Sequence, residues 1–206
     1  MALNDSSTRT ADADAIQRTV ESLRTRNVEV ALAENGEEAK LKIIEMLPKG
    51  AEVFKSTSET LDTIGFSDYL RQSTQYKNLY NAVSHETDPA KQREMRRQVT
   101  VAEYYIGSVQ AIAETGEVII ASGSGSQLGA YAFGAKNVIW VAGTQKICPS
   151  LSEAIDRVRG YSMGKHDQWL ADFGREPAPM GKMMIFEHEQ AVGRVRLVLI
   201  KENLGW

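Results

Sequence analysis

Hydrophobic positions along the chain change period several times. Ala13, Ile16, Val20 and Leu23 recur at helical spacing after a polar start, which predicts an amphipathic helix with one buried stripe. Val28–Ala33 reads as a strand. Asn35 and Glu38 then form an N-cap pattern ahead of Ala39, Ile43 and Leu47, and Pro48-Lys49-Gly50 stops that helix. A short strand, Glu52–Lys55, leads into Ser56-Thr57-Ser58-Glu59, where Ser56 and Glu59 have capping-box spacing before Leu61 and Ile64. The opening is therefore βαβα. Residues 65–98 are more polar: Phe66, Tyr69 and Leu70 share a helical face, and Asp88-Pro89 starts a further helix with proline at its first position. That helix carries Lys91, Arg93, Arg96 and Arg97, a run that reads as a solvated face before it reads as a phosphate cluster. Tyr104–Gly107 is a strand, Ser150 and Glu153 cap a helix with Leu151, Ala154, Ile155 and Val158, and strands follow at residues 183–186 and 195–200.

Two apolar runs stand apart, Val118-Ile119-Ile120-Ala121 and Val138-Ile139-Trp140-Val141. Neither alternates with polar residues, which suits strands covered on both faces, as in a parallel sheet between helices. Each ends in small polar residues. In open α/β sheets ligands bind beyond the carboxyl ends of strands, and Gly-rich connections there bring backbone N–H groups near anions. The candidate ligand-binding residues are accordingly Gly123, Ser124, Gly125, Ser126 and Gln127 after the first run, and Lys146 after the second. Glu114, in the turn Ala113-Glu114-Thr115-Gly116, is the candidate general base, with Thr115 and Gly116 beside it. Ser56, Thr57 and Ser58 follow an earlier strand and offer further donors, although helix capping explains them equally. All of these are expected to converge on one crevice.

Composition narrows the chemistry. A formal charge of −3 and a pI near 5.7 give no basic field for nucleic acid or an anionic membrane. No apolar run approaches the roughly 20 residues that span a bilayer, and the N-terminus has no hydrophobic signal core, so a cytoplasmic location is expected. A single cysteine, Cys148, excludes a cysteine-ligated iron–sulfur cluster or an internal disulfide. No metal site is expected: His85, His166 and His188 lie far apart, and Glu187-His188-Glu189 reads as a polar loop. There is no GxxxxGK[ST], and no GxGxxG follows the first strand. Trp169, Phe173 and Trp206 are expected to close the core rather than to make a subunit contact. At 206 residues the chain fits one large domain, with residues 1–15 a flexible segment and residues 16–206 the folded unit.

The order ETL-x-x-IG at residues 59–65, a polar helical segment, then IGSVQAIAETGEVIIASGSGSQLGAYAFGAKNVIWVAGTQKICPSLSEAIDRVR resembles the LUD domain of lactate-utilisation protein C relatives. The resemblance covers nearly the whole chain after residue 15. It implies a three-layer α/β/α fold with a mainly parallel sheet, of the NagB/RpiA/CoA-transferase-like type. It also implies a place in the oxidation of lactate to pyruvate, in company with iron–sulfur subunits. Ala33-Glu34-Asn35-Gly36 is similar to the ENG motif of related CoA transferases, but here the segment already serves as a helix start. Two function classes stay open. One is an accessory or regulatory component binding a small anionic metabolite, a nucleotide or a partner subunit; the other is a small-molecule enzyme of the cyclo-ligase, sugar-phosphate isomerase or CoA-transferase kind. No cofactor is specified by either.

Overall fold

The computed structural model describes residues 7–206. The predicted N-terminal stripe forms α1 (Ala13–Thr25), which buries Ala15, Ile16, Thr19, Val20 and Leu23 and is capped by Asp12, whose carboxylate accepts from the Ala15 amide at 2.8 Å. Helix thus begins inside the segment expected to be flexible, while residues 1–6 lie outside the described residues. The chain continues through β1 (Val28–Ala33), α2 (Gly36–Glu45), β2 (Glu52–Lys55), α3 (Glu59–Thr63), α4 (Phe66–Gln72), β3 (Lys77–Asn78), α5 (Leu79–His85) and α6 (Pro89–Gln98). Then come β4 (Tyr104–Gly107), β5 (Ala111–Ala113), β6 (Val118–Ser122), α7 (Ser126–Gly129), β7 (Asn137–Gly143) and β8 (Ile147–Cys148). The last elements are α8 (Leu151–Arg157), α9 (Met163–Asp172), β9 (Lys182–Phe186) and β10 (Val195–Ile200).

The main sheet runs β1-β10-β7-β4-β2-β3, and every pairing in it is parallel. One face packs Ala39, Ile43, Leu61, Phe66 and Leu70 of α2, α3 and α4 against Ile106, Ile139, Val141 and Val198. The other face packs Leu23 of α1, Val83, Tyr131 and Val118 against Tyr105, Trp140 and Leu197. This is the three-layer α/β/α arrangement with a mainly parallel sheet. It buries apolar side chains on both faces of β7 and β10, which explains why those strands carry no polar alternation.

A second sheet, β8-β5-β6-β9, lies within the layer opposite α2–α4. Its outer face is covered by Ala154 and Val158, which join Ala111, Ala113, Ile119 and Cys148 in a small core. Here the expectation for Val118–Ala121, which lies in β6, needs refining. The strand is buried on both faces, but its partners β5 and β9 are antiparallel. Being sandwiched between the main sheet and α8 removes alternation as effectively as a parallel sheet does.

The expected caps of α2, α6 and α8 form at Asn35, Asp88 and Ser150. The capping box at Ser56 does not. The Ser56 amide donates to the Ile106 carbonyl at 2.9 Å, extending the β2–β4 ladder, so the chain stays extended and Ser58 caps α3 instead by accepting from the Leu61 amide. The expected core role of the late aromatics is not met either. Phe173 is 66% exposed, and Trp169, Trp206 and His166 form a partly exposed cluster with ring centroids 5.8 to 6.0 Å apart. These rings sit on α9 and on the terminal segment, outside all the buried cores.

Candidate functional site

The carboxyl ends of β2, β4 and β7 are neighbours in the main sheet and deliver Ser56, Ser108 and the turn Thr144–Lys146 to one place. Lys146 is 1% exposed, and its ammonium donates to Ser108 Oγ at 3.0 Å and to Thr60 Oγ1 at 3.2 Å. The Tyr131 hydroxyl donates to the Ser108 carbonyl at 3.4 Å and is hydrogen bonded to the Ser56 side chain. Gly107 makes this approach possible, since a Cβ there would collide with both the Tyr131 and the Ser56 hydroxyls. Tyr131 itself is held by a one-turn π-helix, Ala130–Gly134, closed by the Ala135 amide bonding to Ala130 O at 3.1 Å. Arg194 satisfies the remaining carbonyls of Ala130, Tyr131 and Ala135 while paired with Glu189 at 2.6 Å.

The electrostatics of this cluster are unusual. Burial, and secondarily the charge of Arg157, lowers the Lys146 pKa from 10.5 to about 7. Arg157 is 6% exposed; it donates to the Gln110 carbonyl at 2.5 Å and to Ser162 Oγ at 3.1 Å, while its Nε has no partner. Burial also lowers its pKa. Among the described residues neither cation has a carboxylate within ion-pair distance. The other buried lysine makes the contrast: Lys55, 2% exposed, is paired with Asp62 at 3.0 Å and also donates to Ser67. Beside Lys146, Thr144 Oγ1 and Gln145 Oε1 are buried without partners. The Thr144 side chain also lines a cavity of about 580 Å³ beneath α1, shared with Leu32, Arg24 and Lys201.

The terminal residues strap this end of the sheet. Gln145 Nε2 donates to the carbonyls of Leu204 and Gly205 at 2.9 and 3.1 Å, and Thr60 Oγ1 donates to Leu204 O at 3.2 Å.

The remaining sequence-predicted residues are placed elsewhere. Glu114 lies in the β5–β6 hairpin turn, where its carboxylate accepts from Arg18 Nε at 2.8 Å and its amide donates to Cys148 O. Thr115 accepts Arg26 at its carbonyl and donates its hydroxyl to Glu117; Arg26 pairs with Glu117 at 2.6 Å and clamps the turn, including Gly116, to α1. Thr57 is exposed. Ser122 accepts from the Gly125 amide and donates to Gln127 Oε1 at 3.0 Å, and Gln127 in turn donates to Ala121 O. Ser124, Gly125 and Ser126 face α6 across a second cavity, of about 550 Å³. The structure thus unites Ser56 with Lys146, places the Gly123–Gln127 segment in a separate cavity wall, and leaves Glu114 in an ion pair at the far end of β5. No hydrogen bond joins the three groups among the described residues.

Sequence reasoning did not single out Thr60, Ser108, Tyr131 or Arg157. Ser108 was reachable, because it follows a predicted strand just as Ser56 does. The other three reach the cluster from helical segments, and no local pattern marks which helical side chain points at a sheet end. Cys148 is buried, and burial pushes its thiol up to about 11, which leaves it protonated and unreactive at neutral pH. Among the described residues no group of three or more His, Cys, Asp or Glu side chains is arranged to hold a metal ion, and no helix is long and apolar enough to cross a membrane.

A parallel six-stranded sheet between helical layers, with polar groups gathered past the carboxyl ends of its strands, defines an α/β/α domain with a candidate site at the carboxyl end of the sheet. The chain belongs to the LUD domain family, whose model matches residues 16–200. Among solved structures it is similar to a DUF162 family protein from Deinococcus radiodurans, with a TM-score of 0.51 and 12% identity over 93% of this chain and 98% of that one. A weaker likeness is to eIF2B beta from Chaetomium thermophilum, with a TM-score of 0.31 and 13% identity over 68% of this chain and 46% of that one. No curated protein matches the chain.

Proposed function

We propose that this LUD-domain protein is an accessory or regulatory component of lactate oxidation, and that it binds a small carboxylate between Lys146 and Arg157. One observation carries the reading: two cations, Lys146 and Arg157, are buried with no carboxylate paired to either, and the charge of Arg157 adds to burial in lowering the Lys146 pKa. Burying an uncompensated charge costs several kcal/mol. A bound anion would supply the missing partner, with the Ser108 and Thr60 hydroxyls and the free Arg157 Nε as additional donors. Lactate and pyruvate each present one carboxylate with an adjacent oxygen, which fits such a donor set. The terminal strap lies over Thr60 and Gln145, so entry requires its release.

The test is calorimetric titration with lactate and pyruvate at about pH 6 and about pH 8.5, the two sides of the Lys146 ionisation. The carboxylate favours the ammonium form, so affinity should weaken by up to about tenfold per pH unit above 7, with proton uptake on binding. No heat with either ligand, together with unimpaired growth on lactate of cells carrying Lys146→Met, would sink the reading.

A second reading has its own support. An amine titrating near neutrality beside the Tyr131 and Ser108 hydroxyls is suited to proton transfer, as in a small-molecule enzyme of the isomerase or cyclo-ligase kind. Turnover of such a substrate by the isolated chain, lost in Lys146→Met, would favour it over the accessory role.

A further inference from the structure

The arginine run of α6 is more than a solvated face. Gln92 and Arg93, then Arg96 and Arg97, then Thr100 stand one helical turn apart and line one wall of the cavity of about 550 Å³ whose other wall is Ser124, Gly125 and Ser126. Gln92 is held by the Val83 and Glu86 carbonyls, but Arg93, Arg96 and Arg97 are exposed, so packing does not account for the arginines. Arg93 and Arg96 make no ion pair among the described residues, and Arg97 pairs only with the exposed Glu94, at 2.8 Å. A lysine also stands next to the Ser124–Ser126 loop, without lining the cavity. A Cβ at Gly125 would lie 2.6 Å from Lys182 Cδ and 3.7 Å from its Nζ, which puts that ammonium beside the loop. Gly125 holds φ +86°, a conformation that keeps the loop close to Lys182 and that side-chain-bearing residues rarely adopt. The nearby acids are accounted for: Asp88 caps α6 through the Ala90 and Lys91 amides, and Glu86 accepts from the Asp88 amide.

Against a chain of formal charge −3, three arginines lining one cavity need an explanation. We infer that this cavity is a binding site for a polyphosphate chain. Guanidinium groups match phosphate oxygens in bidentate geometry, and the Ser124 and Ser126 hydroxyls stand opposite to contact the same chain. A single carboxylate would use one of the three arginines; two or three linked phosphates span them. The volume lies within the range of small-molecule sites. The site is separate from the Lys146 cluster, since neither Lys146 nor its hydroxyl partners line it, and it stands whether or not that cluster binds a carboxylate. The polyphosphate is either inorganic or the tail of a nucleotide.

The experiment is calorimetric titration of the full chain with orthophosphate, inorganic tripolyphosphate and ATP, at about 150 mM salt so that loosely held surface charge is screened. Tripolyphosphate should bind at least about tenfold more tightly than orthophosphate, and the double variant Arg93→Gln/Arg96→Gln should lose at least about tenfold of that affinity. Both positions are on an unburied helix face, so the variant should keep the wild-type melting temperature, and Lys146→Met should bind tripolyphosphate as the wild type does. ATP binding more tightly than tripolyphosphate would assign the tail of a nucleotide; equal binding would assign the polyphosphate alone. The inference is overturned if tripolyphosphate fails to bind, if it binds no more tightly than orthophosphate, or if the folded double variant retains full affinity.

Discussion

Lys146 concentrates the residue-scale argument. Its amine titrates near 7 when folded and at 10.5 when unfolded, so between those values the unfolded chain holds a proton that the folded chain has lost. Stability from this group therefore rises with pH across that window, and the penalty is fully present below about pH 7. Lys146→Met should stabilise the protein at about pH 6, by about 1–4 kcal/mol, while abolishing the carboxylate response. Denaturation midpoints across pH check this, and a variant less stable than the wild type would instead identify Lys146 as a staple between strand ends. Gly107→Ala tests the same cluster from the other side. Its Cβ would drive Tyr131 or Ser56 from its place, which should cost about 1–3 kcal/mol in thermal or chemical denaturation, as overpacked cores do.

At the scale of elements, Gly125 and the strap make separate predictions. Gly125→Ala forces a side chain into a left-handed conformation at about 1–2 kcal/mol in the loop that lines the second cavity, so both the melting temperature and tripolyphosphate affinity should fall. Ending the chain at Asn203 removes the carbonyls that hold Gln145 and Thr60. Lys146 should then become accessible to an amine-acylating reagent, read by peptide mass spectrometry; unchanged protection would mean that the strap does not control entry. Most elements were legible in the sequence, because periodicity and capping chemistry are local. Asn35, Asp88 and Ser150 announce their helices before any tertiary contact is known. Ser56 was misread as a cap because its amide is claimed by Ile106, a residue 50 positions away. The site was legible only in part for the same reason. Lys146 and Ser56 could be placed at strand ends by their neighbours in sequence, but whether those ends meet Glu114 depends on the order of strands in two sheets. The arginines of α6 could not be matched to the Gly/Ser loop without knowing how that helix crosses it.

For the molecule as a whole, burial is uneven. β7 and β10 are buried almost throughout at the centre of the main sheet, whereas no residue of α6 is fully buried and β3 is a two-residue edge strand. Hydrogen exchange should therefore be slowest for the amides of β7 and β10 and fastest, among the regular elements, for α6, with tripolyphosphate slowing α6 selectively. Uniform protection would show that α6 is ordered by something other than what it touches here. The same unevenness separates the two candidate sites: the Lys146 cluster lies past the end of the buried strand β7, and the second cavity lies along the exposed helix α6.

The path from Arg157 continues through the π-helical turn Val158–Ser162 into α9, which carries Trp169, and the strap over Thr60 ends in Trp206. Both indoles contact the His166 ring, that of Trp169 stacked on it and that of Trp206 edge-on. A ligand that drew on Arg157 or displaced Leu204 would therefore change the surroundings of one indole or both, while Trp140, sealed in the core, would stay constant. The protein carries its own optical gauge: intrinsic fluorescence, without any attached dye, should report whether its innermost charges have found a partner.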